Sequence, residues 1–101
     1  METTFKTWFT EQYTEDEMRD IAEHGCASCA PHGMIYYHET KDLYSRFADS
    51  IHEIVGEYVA SCGEMPPSLL DSMDSATQFQ NTMVWMAAEL LAYDLASHLI
   101  D

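Results

Sequence analysis

The chain has 101 residues, with 18 Asp and Glu against 4 Lys and Arg, for a formal net charge of −14. Lys6, Arg19, Lys41 and Arg46 cannot form a basic face, which excludes direct nucleic-acid binding by phosphate neutralisation. The length fits one domain over residues 1–101, and 47% apolar with 12% aromatic content excludes disorder, which needs low hydrophobicity as well as high charge.

The first predicted element covers residues 4 to 13, where Phe5, Trp8, Phe9 and Tyr13 recur at helical spacing. Thr14-Glu15-Asp16-Glu17 reads as a capping box that opens a second helix. Met18, Ile21 and Ala22 form its inner face, and Gly25 ends it. Glu15, Asp16, Asp20 and Glu23 lie on its polar side. Residues 25–39 form one irregular loop, broken by Gly25, Pro31 and Gly33, with Met34 to Tyr37 expected to be extended and packed on the helix that follows.

That next helix, over residues 40–62, is expected to organise the fold. Thr40 is its predicted N-cap and Gly63 its left-handed C′ residue. Leu43, Tyr44, Phe47, Ala48, Ile51, Ile54, Val55, Tyr58, Val59 and Cys62 draw a continuous apolar stripe. Asp42, Arg46, Asp49, Glu53 and Glu57 occupy the opposite face. A straight helix of that length would run about 33 Å. Pro67 suits the first turn of a short helix with Leu69, Leu70 and Met73. Ser75 and Gln78 form a second capping box for a last helix over 76–99. Phe79, Met83, Met86, Ala87, Leu90, Leu91, Leu95 and His98 form its stripe, widened by Val84, Trp85 and Tyr93, so it should sit centrally. The predicted fold is all-α: a compact helical bundle of two long helices covered by shorter ones.

Three chemistries compete for the function. His24-x-Cys26-x-x-Cys29-x-x-His32 offers the thiolates and imidazoles that zinc prefers, so a small zinc-binding module through Cys26, Cys29 and His32 is one alternative. It lacks the second, well-separated ligand pair of a structural zinc site, and the expected cofactor is none. No nucleophile motif, glycine-rich phosphate loop or metalloprotease motif occurs, so no catalytic residue is assigned and the protein is expected not to be an enzyme.

The acidic face carries the third reading. Residues four apart on a helix rise about 6 Å, comparable with neighbouring phosphates on a nucleic-acid strand. Asp42, Asp49, Glu53 and Glu57 are therefore the first candidate partner-binding patch, and Glu15, Asp16, Asp20 and Glu23 the second. Tyr36, Tyr37 and Trp8 are candidate aromatic anchors. The expected partner is a basic nucleic-acid-binding protein or complex. The bland alternative is an acidic structural or interaction protein, a homodimer through the last helix. Three cysteines, no basic-then-apolar leader and no apolar run of ~18 residues lead to an expected cytoplasmic setting.

The segments Ile21-Ala22-Glu23-His24-Gly25-Cys26, Gly33-Met34-Ile35-Tyr36-Tyr37, Leu43-Tyr44 and Asp49-Ser50-Ile51-His52-Glu53-Ile54 resemble a family of small uncharacterised proteins of tailed phages and prophages. Gln78-Phe79-Gln80-Asn81, Met83-Val84-Trp85 and Ala87-Ala88-Glu89 extend the resemblance, which covers roughly residues 18–95. It brings no catalytic residues. It implies a phage setting in a host cell, where small acidic proteins such as anti-CRISPR proteins and DNA mimics inhibit host defence. The expectation is a phage-encoded inhibitor whose acidic surface occupies the DNA- or RNA-binding site of a defence complex, a CRISPR effector foremost.

Overall fold

A computed structural model describes residues 4–24, 35, 37–63, 67–72 and 74–96. Among the described residues five helices follow in order: α1 (Phe5–Gln12), α2 (Glu15–His24), α3 (Tyr37–Cys62), α4 (Pro67–Ser72) and α5 (Ala76–Ala96). No strand occurs among the described residues, and the fold is all-α.

Local chemistry sets the helix ends. Thr4 caps α1, its Oγ1 accepting the Thr7 N–H at 3.1 Å. The capping box of α2 forms in both directions. Thr14 Oγ1 accepts the Glu17 N–H at 3.2 Å, and the Glu17 carboxylate accepts the Thr14 N–H at 2.9 Å. Ser75 Oγ accepts the Gln78 N–H at 3.4 Å and opens α5. Gly63 follows α3 at φ 80°, the left-handed conformation its place after the last turn requires, and its N–H reaches the Val59 carbonyl at 3.0 Å.

The hub is α5, not α3. Helices α2, α3 and α4 all pack on α5, whereas α1 packs on α3. Met83, Val84, Ala87, Ala88, Leu91, Ala92 and Ala96 are buried around more than half of the α5 circumference. Four of these are alanines, which let neighbouring backbones approach closely. The core adds Met18 and Ile21 from α2, Leu43, Phe47, Ile51 and Val55 from α3, and Leu69 from α4.

Three expectations about α3 and its surroundings are corrected. First, the helix begins at Tyr37, so Thr40 is not its N-cap but lies within its first turns. Thr40 is fully buried, and its hydroxyl donates to the Asn81 Oδ1 of α5. The irregular stretch is therefore shorter than 25–39, because Tyr37, His38 and Glu39 contain no helix breaker. Ile35 just ahead is buried, and its carbonyl accepts the Trp85 indole N–H at 2.9 Å, which ties this segment to α5. The expected extended course of residues 34 and 36, and the loop over 25–33, lie outside the described residues.

Second, α3 is not one straight rod. Phe47 adopts φ −128°, ψ 25°, which kinks the helix there. The bend falls beside Ser50, where α1 docks on α3. Ser50 Oγ donates to the Phe47 carbonyl at 3.3 Å and accepts the Phe5 N–H, the first of α1, at 2.9 Å. This hydroxyl satisfies an otherwise unpaired donor at the start of α1 and ties α1 to α3 beside the bend.

Third, the apolar stripe does not stay buried to its end. Tyr58 is 39% exposed and Cys62 is exposed, so the last turns of α3 project past their packing partners. The last helix is described through Ala96, and its predicted final turn over 97–99 lies outside the described residues.

Candidate partner-binding surface

The kink divides the predicted acidic row. Asp49, Glu53 and Glu57 stand exposed on the unbroken segment after Phe47, each four residues from the next. Their carboxylates repeat with a rise of about 6 Å. Asp42 is also exposed but belongs to the segment before the kink, where Arg46 Nη1 lies 3.5 Å from its Oδ2. The Arg46 guanidinium also sits 4.8 Å over the Phe47 ring. The four acids are not one continuous row, because the helix bends at Phe47, between Asp42 and Asp49.

The second patch is a face of α2. Glu15, Asp16 and Glu23 are exposed and Asp20 is half-buried, while Met18 and Ile21 turn inward to α5. Arg19 Nη2 pairs with Asp16 Oδ1 at 3.2 Å. Asp16, Asp20 and Glu23 share a shallow surface depression with Glu17 and Arg19. Each acidic patch is thus carried by a separate helix docked on α5.

Of the aromatic anchors, Trp8 is half-buried. It stacks on Phe5 with ring centroids 5.6 Å apart and meets the edge of Tyr13 at 6.1 Å. Phe5 in turn meets Phe47 edge-on at 6.0 Å. Tyr36 and the Tyr37 side chain lie outside the described residues, as do Cys26, Cys29 and His32. Among the described residues no group of three or more His, Cys, Asp or Glu is placed to hold a metal ion.

Sequence reasoning missed a groove between α1 and α3. Phe5 meets Phe47 and Ser50, and Gln12 lies by His38 and Glu39, so α1 runs antiparallel to the first half of α3. Between them Glu11, Glu39 and Asp42 line a cleft with Trp8, Leu43 and Arg46. A signal was present: Trp8, Glu11 and Gln12 share an edge of α1 beside its buried Phe5 and Phe9. Only the docking of α1 brings Glu39 and Asp42 opposite that edge. Near this groove, burial pushes the Tyr13 phenol up to about 12, with the Glu39 and Glu17 carboxylates adding to the shift.

A further contact crosses the bend. The Tyr44 hydroxyl, before Phe47, lies 2.6 Å from His52 Nε2 after it, and His52 also faces the Phe79 ring of α5 at 6.2 Å. At the end of α3, a hydrogen bond with Cys62 raises the Tyr58 phenol above its ordinary value.

These features define a small all-α domain with acidic helical faces and an acidic cleft. The chain belongs to the family described as Domain of unknown function (DUF7222), matched over residues 2–101. No curated protein and no solved structure matches it.

Proposed function

We propose that this protein is a non-catalytic, stoichiometric inhibitor whose acidic helical faces occupy a basic surface that otherwise holds DNA or RNA. The observation that carries the reading is the segment after the kink, where Asp49, Glu53 and Glu57 stand exposed at a regular spacing on a rigid helix. The net charge of −14 adds to it, since a surplus well beyond the magnitude of about 2–8 usual for a soluble small domain costs stability through self-repulsion. A basic partner offsets that repulsion on binding and is drawn in by long-range attraction. The resemblance to proteins of tailed phages points to a host defence complex as the target, with a CRISPR effector as the leading class. Such a protein acts in the cytoplasm of the infected host.

The test replaces Asp49, Glu53 and Glu57 together by Ala. All three are exposed, so the helix stays folded while the row disappears. The tagged wild-type protein should capture a basic nucleic-acid-binding complex from host lysate and release it as salt rises. The triple variant should fail to capture it. A folded triple variant that still captures the complex removes the α3 row as the interface. A partner held equally at low and high salt returns the acidity to ordinary solvation.

A further inference from the structure

A cavity between the starts of α3 and α5 breaks the acidic pattern of the molecule. It holds about 240 Å³ and is lined by His38 and Lys41 from α3 and by Thr77, Gln80 and Asn81 from α5. Among the described residues that line it none is acidic, whereas three other depressions each hold at least one carboxylate. The sequence explains the difference. Residues three and four away from Lys41 on α3 are Tyr37, His38, Tyr44 and Ser45, and α5 carries no charged residue from Ala76 to Ala88. Lys41 is exposed and, unlike Arg19 and Arg46, has no carboxylate partner among the described residues.

Asn81 lines the same cavity yet is only 4% exposed. Its Oδ1 takes the Thr40 hydroxyl proton, which turns its Nδ2 away from Thr40. That Nδ2 donates to no other group among the described residues. No side-chain nitrogen among them is sealed from solvent without a partner, so the Nδ2 faces an opening, and the cavity is the opening Asn81 lines. A buried amide donor, fixed by its own carbonyl oxygen, thus stands across from an unpaired ammonium.

We propose that this cavity binds a small organic monocarboxylate. The Lys41 ammonium supplies the charge, and the Asn81 amide donates a hydrogen bond to a carboxylate oxygen. The Thr77 hydroxyl and the Gln80 amide are further donors, and Thr77 belongs to the first turn of α5, where the helix dipole favours an anion. His38 closes one side and has an interaction of its own. One ammonium balances one negative charge, so a dianion would stay half neutralised inside a strongly acidic molecule. The volume lies below the roughly 300–1,000 Å³ of sites for drug-sized ligands, which restricts the occupant to a small acid. The acidic faces take no part in this site, and its fate leaves the inhibitor reading unchanged.

The experiment titrates isotope-labelled protein with sodium acetate, sodium sulfate and acetamide at fixed ionic strength and follows the amide signals by NMR. Acetate should shift the Asn81 side-chain amide and the backbone amides of Lys41, Thr77 and Gln80, and the shifts should saturate. Sulfate should bind several-fold more weakly, and acetamide, of the same shape without the charge, should leave these signals in place. Lys41→Gln should weaken acetate binding about tenfold. Lys6→Gln, which removes an equal charge from α1, should change it by less than about twofold. Both lysines are exposed, so both variants keep the core intact. Shifts that never saturate, acetamide acting like acetate, sulfate bound as tightly as acetate, or equal losses in the two lysine variants would overturn the site.

Discussion

Tyr13 shows how one side chain can register the acidity around it. Its phenol is half-buried and faces Glu39 and Glu17, all of which favour the protonated form. Below its ordinary value of 10 both folded and unfolded chains hold the proton, and the favourable contribution is complete. Between 10 and about 12 the unfolded chain releases the proton first, so the native state binds more protons and stability falls as pH rises. Tyr13→Phe should remove this alkaline loss, leaving the urea midpoint flatter across that window than in wild type. An unchanged slope in the variant would assign the alkaline loss to other groups. Thr40 teaches a different lesson. As a threonine ahead of an apolar run it reads as a cap, yet it is a buried hydroxyl whose partner, Asn81, lies forty-one residues on. A buried polar pair of this kind is costly to break and so fixes how α3 sits on α5.

Helix identity, order and most ends were legible because local chemistry writes them. The capping box of Thr14 and Glu17, the Ser75 cap, Gly63 and the aromatic spacing of α1 all follow from short-range rules. The central place of α5 was legible in its wide apolar circumference, whereas the start of α3 and its bend were less so, because each depends on contacts between distant segments. Phe47 and Ser50 sit in an ordinary amphipathic pattern, and nothing local announces that Ser50 will accept the N–H of Phe5. The acidic residues were legible as residue types, but their division by the bend and the pairing of α1 with α3 were not. Ser50→Ala tests the joint between these helices. It should cost about 1–2 kcal/mol, because the Phe5 N–H and the Phe47 carbonyl both lose a partner. Hydrogen exchange should quicken first in α1, with α5 amides little affected. Equal quickening in both helices would show that α1 does not open as a separate unit.

Taken together, the molecule holds a surplus of negative charge on a fold about 35 × 31 × 26 Å across. Two of the ion pairs that relieve it, Asp16–Arg19 and Asp42–Arg46, are each local to one helix. With 18 acidic against 4 basic residues, repulsion should dominate the salt response. Thermal midpoints measured from low to moderate sodium chloride should rise as screening shortens the reach of that repulsion. A falling midpoint would mean that attractive pairs outweigh it. The two tryptophans stand in different packing units, and that separation makes the protein its own optical instrument. Trp8 lies in the aromatic cluster that joins α1 to α3, and Trp85 is hydrogen-bonded to the Ile35 carbonyl on the α5 hub. Emission from the first reports whether the amino-terminal arm is seated, and emission from the second whether the approach to α3 is closed. Single-tryptophan versions would let undocking of the arm and opening of the hub be timed separately, in one cuvette and without any attached dye.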